Sequence, residues 1–114
     1  MDDLPLSLYR RVGDLVFLAG EVPADTDDQV PADVGAQVDL VIDRIAETLA
    51  EIGGTLDDVV SATVYLSSPD HFDAYNAVYR RRFKAPFPAR TTVAAPLMMK
   101  ADVEITVVAA VPAR

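Results

Sequence analysis

Apolar and polar positions along the chain alternate with two different periods. Val34, Val38, Val41, Ile42, Ile45, Leu49 and Ile52 recur at intervals of three and four residues, the spacing of a helix with one buried face. Gly53-Gly54 follows, and glycine is the residue that most readily ends a helix. A second stripe, Phe72, Tyr75, Val78, Tyr79 and Phe83, is preceded by Ser68, Pro69 and Asp70. These suit an N-cap, a first helical position and a first turn in that order. Pro86 and Pro88 stop this helix after about residue 83, because proline supplies no amide hydrogen and clashes with the preceding turn.

Strands account for the rest. Residues 6–20 predict a hairpin, with Leu6 and Leu8 in the first strand, Leu15 to Leu18 in the second and Gly13-Asp14 as the turn. Val59, Val60, Ala62, Val64, Tyr65 and Leu66 predict an internal strand. Residues 90–111 predict two more around Pro96-Leu97-Met98-Met99-Lys100. The order β-β-α-β-α-β-β, with no internal repeat and no linker, predicts one α+β domain over residues 1–114 with both helices on one face of the sheet. Val103 to Val111 is apolar on both sides over much of its length, so the uncovered face also needs a partner. A second copy of the chain in closed cyclic symmetry is the expected one.

Composition narrows the chemistry. The chain has 114 residues and no cysteine, which excludes disulfides, thiolate metal sites and a cysteine nucleophile. Eighteen Asp and Glu against ten Lys and Arg give a net charge of -8, a field that opposes nucleic acid and anionic membranes. No apolar run approaches the roughly 20 residues needed to cross a bilayer, and Met1-Asp2-Asp3 is acidic where a signal peptide is basic. The expectation is a cytoplasmic protein.

Few residues stand out as chemical. Arg90 follows Phe87-Pro88-Ala89 and opens a strand; its planar guanidinium either binds a small carboxylate through two parallel hydrogen bonds or pairs with a surface carboxylate of the chain. Glu104 is the one charged residue between Asp102 and Arg114. It either meets Arg90 or an ordered water that it polarises as a base, or reaches solvent from a strand edge. Asn76 orients a ligand or tethers the proline-rich loop to the helix. His71 has no second histidine to support a triad or metal site. Arg80-Arg81-Arg82 and Lys84 read as cations at the C-terminal end of a helix dipole. Asp25, Asp27 and Asp28 lack the glycine and closing glutamate of a calcium loop and read as solvated.

Taken together, Val12-Gly13-Asp14-Leu15-Val16-Phe17, Gly20-Glu21-Val22-Pro23, Asn76-Ala77-Val78-Tyr79, Phe87-Pro88-Ala89-Arg90-Thr91-Thr92-Val93 and Val103-Glu104-Ile105 resemble the RidA family of reactive-intermediate deaminases, also called YjgF. The resemblance implies a chorismate-mutase-like fold assembled as a homotrimer, with the open sheet faces forming a central barrel and clefts between neighbouring subunits. It further implies hydrolysis of 2-imino acids or their enamine tautomers to 2-keto acids and ammonia, with neither cofactor nor metal. By position, Arg90 would hold the substrate carboxylate, Glu104 would position or activate water, and Asn76 and the Gly20 backbone would shape the site. Thr92 stands where many members have cysteine, and Phe17 and Phe87 are candidates for apolar walls. Members often carry Gly-Pro-Tyr-Ser where this chain has Leu4-Pro5-Leu6-Ser7. Leu6 in place of the tyrosine predicts a more apolar pocket with altered specificity, or weakened activity on the smallest imino acids. Two other classes compete: a module that binds small carboxylates, or acts as a chaperone, through the same clefts without turnover, and a ribonuclease, which the -8 charge and the lack of a histidine pair disfavour.

Overall fold

In the computed structural model, residues 4–112 are described; Met1-Asp2-Asp3 and the last two residues lie outside them. Five strands and two α-helices follow in the predicted order: β1 (Tyr9–Val12), β2 (Leu15–Leu18), α1 (Val34–Glu51), β3 (Val59–Leu66), α2 (Phe72–Arg82), β4 (Ala89–Ala94) and β5 (Val103–Ala110). The sheet order is β1-β2-β5-β3-β4. It is mixed, since β4 runs parallel to β3 while the other neighbours are antiparallel.

Local chemistry sets each boundary. Gly13 has φ +60° and joins Val12 to Leu15 across a two-residue turn. Positive φ at the first central position matches the twist of a hairpin, and glycine adopts it without strain. The first strand begins at Tyr9 rather than Leu6. Strand β2 ends at Leu18, the partner of Tyr9, so the residues before Tyr9 have little to pair with, and Leu4, Leu6 and Leu8 are exposed. Helix α1 starts at Asp33, whose carboxylate accepts from the Ala36 amide. It ends where Gly53, at φ +79°, turns the chain so that the Gly54 amide reaches Leu49 O at 2.8 Å. Ser68 caps as expected, accepting from the Asp70 amide. Pro69–His71, however, form a tighter 3-10 turn before α2 begins.

The core lies between the helices and one face of the sheet. Val38, Val41, Ile42, Ile45 and Leu49 of α1 meet Val16, Val64, Ile105, Val107 and Ala109, all fully buried or nearly so. Full burial of such a side chain is worth about 1.5–3 kcal/mol, so truncating Ile45 to alanine would cost about 2–5 kcal/mol. Gln37 is buried but satisfied: its amide donates to Pro31 O and Asp102 Oδ2 and accepts from the Asp102 backbone. Asp102 also accepts from Ser67 Oγ at 2.7 Å and lies 3.6 Å from His71 Nε2. The Ser67 bond leads the causes that hold its carboxyl below the usual range. This cluster joins the end of β3 to the start of β5, and it gives His71 a structural place.

Strand β5 alternates strictly between buried and half-buried residues, so it is fully covered on one side only. On the other face, Val12, Leu15, Phe17 and Val93 are exposed. The apolar surplus anticipated for this face is present.

Candidate functional site

Arg90 and Glu104 emerge on opposite faces of the sheet. Arg90 is in register with Ala62, which pairs with Val107, and both of these side chains are buried beneath the helices. Glu104 alternates with the buried Val103 and Ile105 and therefore projects from the open face. Strand β3 separates the two strands that carry them. Within one chain, then, Arg90 does not compensate Glu104. The carboxylate is only half buried, and among the described residues no side chain bonds to it. Solvent takes that role. Glu104 sits in an interior strand of the sheet rather than at an edge, so it reaches water through the uncovered face.

Around Arg90 the fold assembles a cation held, among the described residues, by neutral groups. Its Nη1 donates to Asn76 Oδ1 at 2.8 Å. Its guanidinium carbon lies 4.8 Å from the Tyr79 ring centroid, 5.2 Å from that of Tyr75 and 5.9 Å from that of Phe72, within range of attraction to the ring faces. Phe72, Tyr75 and Tyr79 recur along α2 and pack in sequence, with centroids 5.9 and 5.7 Å apart. Sequence reasoning read these rings only as core. Tyr75 and Tyr79 are indeed buried, but Phe72 is exposed, serving as the outer member of a platform for Arg90. The available signal was a run of aromatic residues on the helix immediately before an isolated strand arginine.

Both phenols stay protonated across the physiological range. Burial, joined by Tyr75, pushes Tyr79 up to about 12, and burial raises Tyr75 as well. The Tyr75 hydroxyl lies 3.3 Å from Thr92 Oγ1, so Thr92 braces the platform from the strand. Among the described residues, none hydrogen-bonds the buried Tyr79 hydroxyl.

Beside this platform a cavity of about 250 Å³ is lined by Asn76, Tyr79, Arg80, Phe87, Pro88 and Arg90. Of the residues singled out by sequence, Arg90, Asn76 and Phe87 thus meet in one place. Gly20 and Glu104 meet in another. A Cβ placed on Gly20 would overlap Glu104 Oε2, so the glycine leaves the room the carboxylate occupies. Phe17 is on the open face in register with Val108, and Leu6 is exposed ahead of β1, outside the cavity lining. Among the described residues, no group of three or more His, Asp or Glu side chains could hold a metal ion.

The basic run at the end of α2 divides. Arg81 Nη2 meets Asp39 Oδ2 at 2.7 Å, and Arg82 bonds Asp39 at 2.8 Å and Asp43 at 2.7 Å. These are ties between the two helices, a role beyond the dipole placement read from sequence. Burial alone would raise the Asp39 carboxyl, but the bonds from Arg82 and Arg81 outweigh it and hold it low. Arg80 takes no part and turns toward the cavity. The aspartate loop behaves as a solvated turn, with Asp25 Oδ1 accepting from the Asp27 and Gln29 amides.

Fold and site together define an α+β protein whose sheet edge carries a small cavity with an unneutralised guanidinium in its wall. Residues 4–111 match the family described as Endoribonuclease L-PSP. The mitochondrial protein mmf2 of Schizosaccharomyces pombe is 37% identical over 110 residues, covering 93% of this chain and 87% of its own. A solved structure named Protein YjgH superposes with a TM-score of 0.88 at 33% identity, over 95% of this chain and 85% of that one. RidA from an Antarctic Psychrobacter superposes with a TM-score of 0.89 at 27% identity, over 96% and 90%. The chain belongs to the RidA/YjgF family.

Proposed function

We propose that this protein hydrolyses 2-imino acids, or their enamine tautomers, to 2-keto acids and ammonia in clefts between the subunits of a homotrimer. The observation that carries the reading is the state of Arg90. In a chain with eighteen acidic residues, its guanidinium is held by an amide oxygen and three ring faces. Its charge is therefore left for an anion, and its orientation is set in advance for a planar carboxylate.

The chemistry asks little more. A protonated imine carbon is already electrophilic, so the protein has to fix the acid, present a water and move protons. Glu104 would take a proton from water as its oxygen bonds to the imine carbon. Glu104 would return that proton to the nitrogen of the carbinolamine, the carbon–nitrogen bond breaks, ammonia leaves, and the hydroxyl gives up its proton to water as the carbon becomes the keto group. Because Glu104 of one chain faces away from that chain's Arg90, the glutamate in each cleft would come from a neighbour. The exposed apolar side chains of the open face, Phe17 among them, would be covered in the trimeric barrel. A cytoplasmic location is part of the same proposal; among the described residues no helix is long and apolar enough to cross a membrane.

The test follows an imine generated in place by an amino-acid oxidase. The parent should speed its disappearance. Arg90→Ala should lower kcat/KM about 100-fold or more, the loss expected when a buried anion forfeits its charged partner. Equal rates for parent and Arg90→Ala would overturn the reading. Tight keto-acid binding with no imine turnover would instead favour a module that binds small carboxylates without turning them over.

A further inference from the structure

Arg80 is the charged cavity-lining residue for which the deaminase reading has no use. On α2, Asn76, Tyr79 and Arg80 stand at i, i+3 and i+4, which puts them on one face of the helix, and all three line the cavity with Arg90. The next two arginines are rotated by about 100° each and are bound to Asp39 and Asp43. Among the described residues no carboxylate pairs with Arg80, although the chain carries a net charge of -8. Three consecutive guanidiniums thus divide into two that are neutralised and one that is not. The unneutralised one shares a cavity with a second unneutralised guanidinium.

We infer that Arg80 selects the substrate side chain, and that the preferred substrate is a 2-imino dicarboxylate whose distal carboxylate meets Arg80 while its 2-carboxylate meets Arg90. The inference rests on the deaminase reading of the cavity and adds the substrate class. Two like charges in one cavity attract a dianion more than a monoanion, against the repulsive field of an acidic protein. Phe87 and Pro88 supply an apolar wall suited to the methylene groups between two carboxylates. The volume of about 250 Å³ suits a small acid rather than a drug-sized ligand.

Arg80 is exposed on a helix, so Arg80→Ala retains good helix propensity and removes little packing. The experiment measures kcat/KM for imines made in place from alanine and from aspartate or glutamate. The same proteins are titrated calorimetrically with pyruvate and with 2-oxoglutarate. The parent should prefer the dicarboxylate in both. In Arg80→Ala the dicarboxylate-to-monocarboxylate ratio should fall roughly tenfold, the worth of one partly exposed charged hydrogen bond, and Arg80→Lys should hold an intermediate ratio. A ratio unchanged by Arg80→Ala in both measurements overturns the inference. If the parent hydrolyses neither imine, the deaminase reading fails alone. A calorimetric ratio that still drops in Arg80→Ala then upholds dicarboxylate selection, and one that does not drop rejects it.

Discussion

The two faces of the sheet present opposite kinds of chemistry. On the helix-covered side, Arg90 is a cation anchored by Asn76 and three rings and set beside a cavity. On the open side, Glu104 is a carboxylate with no side-chain bond among the described residues, lying over a glycine among exposed apolar side chains. One half carries the two guanidiniums of Arg80 and Arg90 beside a cavity; the other is a half-buried carboxylate on an uncovered apolar face. A sheet cannot fold its two faces together. The difference teaches that a site using both residues has to be built from two chains.

That contrast can be sharpened from the weaker half. Gly20→Ala would push the Glu104 carboxylate from its position while leaving the Arg90 cavity untouched. Displacing a reacting group by about an ångström costs roughly 10- to 100-fold in rate, so kcat for imine hydrolysis should fall by that factor, with keto-acid affinity near the parent's. A kcat equal to the parent's would mean that the position of Glu104 over Gly20 is not the one the chemistry uses.

A smaller effect tests the scaffold behind the stronger half. Because the native Asp39 carboxyl is held below its ordinary value of 3.8, its ties to Arg81 and Arg82 stabilise the fold at neutral pH. That contribution is lost as pH falls through the lowered native value. Asp39 is more than a third exposed, so solvent screening limits the effect to about 1 kcal/mol or less. In thermal melts, Asp39→Asn should lower Tm slightly at neutral pH and match the parent in strong acid. The same gap at both ends of the pH range would show that charge is not its source.

Much of the architecture was readable because it is written locally. The three- and four-residue spacing of α1, the Ser68-Pro69-Asp70 start before α2 and the glycine turn at Gly13 each act within a few residues. The start of β1 was misplaced because its limit is set by the length of β2 and not by Leu6 or Leu8 themselves. Asn76, Phe87 and Arg90 were found as site candidates, and they meet. That Arg90 and Glu104 face opposite ways was not legible. Strand parity alternates residue by residue, and the relative parity of β4 and β5 depends on how each registers on β3, through Ala62 for one and Tyr65 for the other. The division of the three arginines was hidden for a similar reason, since their partners Asp39 and Asp43 lie about forty residues earlier.

Whether two chains share each site can be measured by mixing. Arg90→Ala keeps Glu104, and Glu104→Gln keeps Arg90; each protein alone should be nearly inactive in imine hydrolysis. Unfolded together in equal amounts and refolded, they should recover about a quarter of the parent rate, the fraction of interfaces that pair an intact Arg90 with an intact Glu104 in a randomly assembled ring. A mixture no faster than its two components would contradict a site shared between subunits.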